Sequence, residues 1–468
     1  MMRLALSIIV ATLSLSIGIY AADKTYEPTW ASINSRPLPT WYDQSKFGIF
    51  IHWGVYSVPH YGSALPEWYW YNYNNPSEDG GATQRFHNTS FGPNFQYQKF
   101  AENFNAYIFD PDQWADLFKK AGAKYVVLTS KHHEGFCLWQ SPQSWGWNSV
   151  DVGPNKDLVA MVTNSVRKAG LKMGLYHSLY EWYNPIYDAD KATGQPPTQS
   201  KYVDEIMLPQ LYDIIQKYEP SVIWADGDWE QYSAYWKSTE FLAWLYTNST
   251  VKDEIVTNDR WGAECPMKDG GYFTPYDRYN PGKSIGHKWE NCYTIGQNWG
   301  YNENEPFSGF QSATDIIYQL VSTVSCGGNL LLDVGPTPDG LIPWIMQERL
   351  LQIGAWMDVN NAAIYDTIPW RAQNDTAEEQ IWYTTNPNTL DVYCISFVWP
   401  TNGILSLTQP LASSSTQVFL LGCTPSTACN TLSYTVNKAG SGFSIKLPSL
   451  PPTGYPNYAY VFVLKNVK

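Results

Sequence analysis

Residues 124–136 read KYVVLTSKHHEGF, an apolar run that ends in charged and polar side chains. Similar runs recur over the first 335 residues, and helix-like segments separate most of them. Near-continuous apolar strands that alternate with helices indicate a parallel sheet covered on both faces. The other runs are KFGIFIHWG (46–54), LKMGLYHSLYEW (171–182), SVIWADGDWE (221–230), EIVTNDR (254–260), HKWENC (287–292) and GGNLLLDVG (327–335).

The intervening segments carry helix signals. PDQWADLFKKAG (111–122) begins with Pro, spaces its apolar residues three to four apart and ends in Gly. Further helices are predicted at 156–170, 202–218, 313–325 and near 347–360. About eight such units favour a (β/α)8 barrel over an open sheet. The first strand is not followed by G-x-G-x-x-G, which disfavours a dinucleotide-binding fold.

The pattern changes near residue 369. Short, partly alternating runs such as LDVYCISFVW and YAYVFVL are separated by stretches rich in Pro, Asn, Ser and Gly. This pattern is typical of a small antiparallel β-sandwich. We therefore predict an α/β chain with a (β/α)8-like barrel over 23–368 and a C-terminal β-sandwich domain over 369–468.

Residues 1–22 have the layout of a secretory signal peptide: Arg3, a long apolar run, then Ala21 and Ala22. An uncleaved membrane anchor is the alternative, because about 19 apolar residues nearly span a bilayer. Cleavage predicts a secreted or lysosomal protein without a membrane segment. Three sequons then become candidate glycosylation sites on surface loops, at Asn88, Asn248 and Asn374.

The chain has seven cysteines, an odd number, so at least one stays free or pairs between chains. Cys423 and Cys429 enclose a five-residue loop and are the best candidates for a disulfide; Cys265 with Cys292 is a second possibility. The spacings do not match a zinc site.

Composition narrows the function. Aromatic residues make up 16% of the chain and charged residues also 16%, which excludes a disordered or coiled-coil protein. The net charge of −13 argues against a nucleic-acid partner, because phosphates select basic surfaces.

Chemically active side chains lie at the predicted strand ends, which share one rim in a barrel, and active sites of barrels form on that rim. Asp226 and Glu290 are two carboxylates flanked by aromatic residues, an arrangement that fits glycoside hydrolysis. The other residues predicted at the rim are His52, His132, His133, Tyr176 and Arg260.

The sequence resembles the α-L-fucosidases, family 29 of the glycoside hydrolases, over most of its length. The resemblance is carried by several strings in register. They include RPLPTWYDQSKFGIFIHWGVYSVP (36–59), EWYW (67–70), KYVVLTSKHHEGFCLW (124–139), VIWADGDWE (222–230), NDRWG (258–262), HKWENC (287–292) and GGNLLLDVGPTPDG (327–340).

This resemblance implies a retaining exo-α-L-fucosidase that acts on fucosylated oligosaccharides or glycoproteins without cofactor or metal. Asp226 matches the family nucleophile, and Glu290 matches the acid/base of the animal-type members. One departure is Glu134, where the family motif often has Asp. The residues that match the fucose-binding positions are His52, Glu67, Trp68, His132, His133, Tyr176 and Arg260.

Two alternatives remain open on the sequence alone. The first is a non-catalytic fucose-binding protein on the same scaffold, which intact Asp226 and Glu290 disfavour. The second is a retaining glycosidase for another sugar, whose pocket must hold a hydroxymethyl group where fucose has a methyl group.

Overall fold

The computed structural model describes residues 24–62, 65–376, 380–423, 431–437, 441–449 and 458–468. The predicted signal peptide therefore lies outside the described residues. In the part that is described, no helix has the length and apolar character needed to cross a membrane.

Seven parallel strands form the main sheet of the described chain, in the order β5-β4-β3-β2-β1-β7-β6. The strands are β1 (Phe47–Ile51), β2 (Tyr125–Lys131), β3 (Lys172–Ser178), β4 (Val222–Asp226), β5 (Val256–Thr257), β6 (Trp289–Thr294) and β7 (Gly328–Val334).

The ring closes between β5 and β6 through a very short eighth element. Tyr272 forms a parallel bridge with Asn258, just after β5, and Phe273 forms one with Trp289 at the start of β6. The predicted (β/α)8-like barrel is therefore confirmed, with one strand reduced to two residues.

Helices cover the outside of the barrel and fill the excursions between strands. Every helix predicted from the sequence is present, and each follows one of the strands β1 to β4, β6 or β7. The longer helices are Ala82–Ser90, Pro111–Lys120, Leu158–Lys168, Leu208–Tyr218 (preceded by a π-helical turn, Val203–Met207), Ser238–Thr247, Ala313–Ser325 and Trp344–Asn360; the shorter ones are Trp30–Ile33, Thr40–Ser45, Tyr69–Asn74, Pro185–Lys191 and Ser233–Trp236.

Alternation along the strands separates two apolar cores. On β1, Ile49 and Ile51 face the outer helices, whereas Phe50 belongs to the cluster inside the barrel. The barrel interior is unusually aromatic. It contains Tyr42, Phe50, Tyr125, Tyr176, Trp224, Tyr272 and Trp299.

The C-terminal domain is antiparallel, as predicted. Its five-stranded sheet has the order β12-β15-β10-β9-β8, and its three-stranded sheet β11-β14-β13, among the described residues. The strands are β8 (Ile368–Asn374), β9 (Ile381–Thr385), β10 (Val392–Ser396), β11 (Ile404–Leu407), β12 (Gln417–Leu420), β13 (Tyr434–Val436), β14 (Phe443–Lys446) and β15 (Tyr460–Lys465). The domain packs on the barrel helices, where Tyr318 contacts Trp382 and Phe397 edge-on.

The cysteine predictions have mixed outcomes. Cys423 is disulfide-bonded, and its predicted partner Cys429 lies outside the described residues. A bond between Cys265 and Cys292 is wrong, because both are free and buried.

The three sequons do not all lie on loops. Asn248 is exposed at the end of a helix, but Asn88 lies within the helix Ala82–Ser90 and Asn374 is the last residue of β8. Asn88 is exposed and Asn374 is half-buried.

Candidate active site

A cavity of about 770 Å³ opens at the carboxyl ends of the barrel strands. Its wall holds eight of the nine predicted site residues, so the fold brings most of them together in one cavity. Only Glu290 is missing from it. The eight are His52, Glu67, Trp68, His132, His133, Tyr176, Asp226 and Arg260.

Asp226 is the last residue of β4, and a sharp turn follows it. Gly227 has a φ of 85°, and a Cβ atom there would lie 2.6 Å from the Tyr180 ring. This turn needs glycine on both counts. It aims the carboxylate of Asp226 into the cavity rather than along the strand.

Three side chains hold the Asp226 carboxylate. Arg260 Nη1 donates to its Oδ1 at 3.0 Å, the Tyr176 hydroxyl donates to its Oδ2 at 2.7 Å, and His133 Nε2 lies 3.5 Å from Oδ2. Burial alone raises the pKa of this carboxyl, but His133, Arg260 and Tyr176 outweigh burial and hold the pKa below its ordinary value. Asp226 is therefore an ionised, oriented carboxylate.

The Arg260 guanidinium binds a second carboxylate that sequence reasoning missed. Its Nη2 donates to Asp277 Oδ1 at 2.8 Å, while its Nε donates to the Thr274 carbonyl at 2.8 Å. Asp277 also lines the cavity, and its side chain is 46% exposed. It lies in the loop TPYDRYN (274–280), which has no strand or helix periodicity to mark it.

His52, His132 and His133 form one wall of the cavity. His52 Nδ1 lies 2.7 Å from Asp333 Oδ1, at the end of β7. Burial lowers the pKa of His52 and raises the pKa of Asp333, so both groups of this pair favour their neutral forms. Burial and the neighbouring His132 likewise lower the pKa of His133 to about 4.

Glu134, which departs from the family motif, remains close to the site. Its Oε2 lies 3.3 Å from His132 Nδ1, and the side chain is buried. The longer side chain thus reaches the neighbouring histidine without entering the cavity wall.

Glu67 and Trp68 come from the 3₁₀ turn Pro66–Trp68 in the excursion after β1. Glu67 Oε2 accepts a hydrogen bond from the Gly300 N–H at 3.0 Å, and burial raises its pKa. The Trp68 ring packs against Trp182 and His133, with centroids 5.0 and 5.6 Å apart. Trp68 is therefore a rigid apolar wall.

Asp228 is more deeply buried than its position in a loop after β4 suggested. It lines the cavity but is only 6% exposed. Burial, partly offset by Arg260 and reinforced by Asp226, raises its pKa to about 7. It is therefore not the solvated loop charge that a turn after a strand usually carries.

Glu290 lies beneath the cavity rather than in it. It is the second residue of β6, close to the end where the strand enters the barrel, and it is 0% exposed. Tyr42 and Tyr125 each donate to its Oε2 at 2.6 Å, and Trp224 Nε1 donates to its Oε1 at 2.9 Å.

The predicted position of Glu290 at the rim is therefore wrong. HKWENC was taken to place Glu290 at a strand end, whereas β6 begins at Trp289 and continues to Thr294. Its acid/base role stays a prediction that this buried position does not favour, because an acid/base must reach both a leaving group and water.

Comparison with known proteins identifies the family. A family model described as alpha-L-fucosidase matches residues 14–362. The chain belongs to the α-L-fucosidase family. A second model, for the C-terminal domain of α-L-fucosidases, matches residues 373–465.

Similar proteins extend over almost the whole chain. An α-L-fucosidase of Dictyostelium discoideum is 54% identical and covers 95% of this chain and 96% of its own. The human tissue α-L-fucosidase is 46% identical, over 95% of this chain and 93% of its own. The α-fucosidase of Thermotoga maritima, solved in complex with fucose, is 32% identical, with a TM-score of 0.77 over 94% of this chain and all of its own. The predicted family is thus confirmed, and the protein is a glycoside hydrolase.

Proposed function

We propose that this protein is a retaining exo-α-L-fucosidase whose catalytic pair is Asp226 and Asp277. The observation that carries the proposal is the Arg260 fork, which binds Asp226 through Nη1 and Asp277 through Nη2. Carboxylates on adjacent nitrogens of one guanidinium lie close together. Retaining glycosidases need such closeness, with carboxyl groups about 5 Å apart, whereas inverting enzymes leave room for a water molecule between them.

Asp226 fits the nucleophile. Its low pKa keeps it ionised, and Tyr176 and Arg260 fix its orientation. In the first step its oxygen forms a bond to the anomeric carbon of fucose while the glycosidic carbon–oxygen bond breaks. In the second step water replaces Asp226 at that carbon and releases fucose.

Asp277 fits the acid/base better than the other cavity carboxylates. Glu67 and Asp228 are buried, whereas Asp277 is open to the leaving group and then to water. Asp277 would give its proton to the departing oxygen and later take one from the attacking water.

The remaining wall suits a small deoxy sugar. His52, His132 and His133 supply ring nitrogens for hydroxyl groups, and Trp68 supplies an apolar surface for the methyl group. The family members compared above, including the Thermotoga maritima enzyme crystallised with fucose, support fucose as the sugar.

We further propose that the protein is secreted or lysosomal and acts on fucosylated oligosaccharides or glycoproteins. The N-terminal segment 1–22 and the exposed sequons at Asn88 and Asn248 support this location. Mass spectrometry of the protein from its native source tests both, because it reads the mature N-terminus and the occupied asparagines.

A panel of aryl α- and β-glycosides tests the function. Hydrolysis of only the α-L-fucoside, with release of α-configured fucose seen by NMR, is expected. Turnover of α-galactosides at a similar rate would favour the alternative of a retaining glycosidase for another sugar. Binding of fucose without turnover of any aryl fucoside would favour a non-catalytic protein.

Asp226→Ala is the matched variant for this panel. We expect kcat to fall by several orders of magnitude while the circular dichroism spectrum stays unchanged, because the side chain acts on the reacting carbon rather than in the core. Near-normal turnover by this variant would refute the nucleophile assignment.

A further inference from the structure

Two large aromatic side chains at the cavity mouth are largely exposed. Tyr276 is 61% exposed and Trp229 46%, although both line the cavity. Two exposed aromatic rings beside one cavity form a candidate contact surface for a ligand.

The Tyr276 ring is held in place from behind. Tyr279 packs edge-on against it with centroids 5.1 Å apart, and Tyr279 in turn packs edge-on against Trp289 at 5.6 Å. Tyr279 and Trp289 are both buried. The exposed ring therefore rests on a row of aromatic contacts that leads into the barrel wall.

The two rings lie near different members of the proposed catalytic pair. Trp229 packs against His133 and Trp68, with centroids 5.4 and 6.3 Å apart, and His133 contacts Asp226. Through His133, Trp229 lies on the side of the proposed nucleophile Asp226.

Tyr276 directly precedes Asp277 in the chain. An acid that protonates the glycosidic oxygen touches the first atom of the leaving group, and the nucleophile attacks from the opposite face of the sugar. The leaving group therefore departs on the Asp277 side of the cavity, toward Tyr276.

We propose that Tyr276 is a stacking platform for the leaving-group sugar, so that the preferred substrates carry fucose on a pyranose ring. This inference rests on the proposed function, because it uses the assignment of Asp226 and Asp277. A pyranose presents a flat face of C–H groups that packs on an aromatic ring, which a serine or threonine leaving group does not.

The test compares leaving groups with and without a ring. The leaving group of α-L-fucosyl fluoride is a fluoride ion without a ring, whereas the leaving group of α-L-fucosyl-(1→2)-galactose is a pyranose that would lie against the platform. For Tyr276→Ala we expect the ratio of kcat/KM for the disaccharide to kcat/KM for the fluoride to fall about tenfold. Tyr276→Phe, which keeps the ring, should restore the ratio.

Tyr107→Ala is the matched control, since Tyr107 is 85% exposed and lies outside the cavity wall. It should leave both substrates unchanged. An unchanged ratio in Tyr276→Ala, including the case in which kcat/KM falls equally for both substrates, would contradict the stacking role of Tyr276. Failure of the wild-type protein to hydrolyse the fluoride would instead overturn the proposed function.

Discussion

The indole N–H of Trp224 donates to Glu290 Oε1 across 2.9 Å, and this bond connects the cavity floor to the barrel core. Trp224 lines the cavity, and the Arg260 guanidinium lies over its ring, 4.6 Å from the centroid. Glu290 therefore supports the site from below. It holds the Trp224 ring in place. Arg260, which binds both proposed catalytic carboxylates, packs on that ring.

Glu290→Ala should destabilise the fold strongly. It leaves the hydroxyls of Tyr42 and Tyr125 and the indole N–H of Trp224 buried without an acceptor. One such unsatisfied donor costs about 1–3 kcal/mol, so the free energy of unfolding should fall by about 3 kcal/mol or more. Urea denaturation measures this. Glu348→Ala, at an exposed helix position, is the control and should change little; equal stability of both variants would contradict the structural role.

Asp277→Ala should behave as an acid/base variant. With an aryl fucoside whose leaving group needs no proton, the covalent intermediate still forms, but water attacks it slowly. Azide needs no general base, so it should raise turnover at least tenfold and give α-fucosyl azide. The product is identified by NMR.

The same experiment on Glu290→Ala separates the two carboxylates. Its buried position predicts no azide rescue, and rescue there but not in Asp277→Ala would reverse the assignment. Asp228→Asn and Glu67→Gln extend the comparison to the other cavity carboxyls.

Asp228 should make stability fall as pH rises. Its pKa is raised to about 7 in the folded protein, against about 4 in an unfolded chain. Between these values the folded state holds the extra proton, so stability is fully present below about pH 4 and is lost through pH 7.

Asp228→Asn removes this contribution. The difference in unfolding free energy between wild type and variant should change by roughly 3–4 kcal/mol between pH 4 and pH 7.5, with the wild type losing more. Urea denaturation at both pH values checks the sign. A difference that is constant with pH would show that Asp228 titrates normally.

The sequence predicted the barrel and most of the cavity because both follow from periodicity. Apolar runs mark the strands, and His52, His132 and Asp226 follow or end them, so the topology brings them to one rim. The position of Glu290 was predicted wrongly because HKWENC does not show where its strand begins. A short aromatic run that contains one carboxylate reads the same whether that carboxylate lies at the start or at the end of a barrel strand.

Asp277 could not be predicted for a different reason. Between β5 and β6 the chain replaces a regular unit with single bridges at Tyr272 and Phe273. Its loop has no periodicity, and only the three-dimensional contact with Arg260 reveals its role.

Arg260 should be irreplaceable by lysine. Its three donors contact Asp226, Asp277 and the Thr274 carbonyl at once, and a single ammonium group cannot reproduce this fork. Arg260→Lys keeps the positive charge, but the two carboxylates are no longer held at a fixed distance from each other. We expect kcat on an aryl fucoside to fall about 100-fold or more, since misplacement of a reacting group by about 1 Å has effects of that size.

Arg260→Met separates charge from geometry. The Arg260 charge is one cause of the low pKa of Asp226, so its removal should raise that pKa. Catalysis needs the ionised form, and the acid limb of the kcat/KM profile should therefore move to higher pH in Arg260→Met but much less in Arg260→Lys. Arg349→Met, whose guanidinium contacts the Gln311 carbonyl away from the cavity, controls for loss of an arginine. An acid limb that stays fixed in Arg260→Met would show that Asp226 does not depend on this charge.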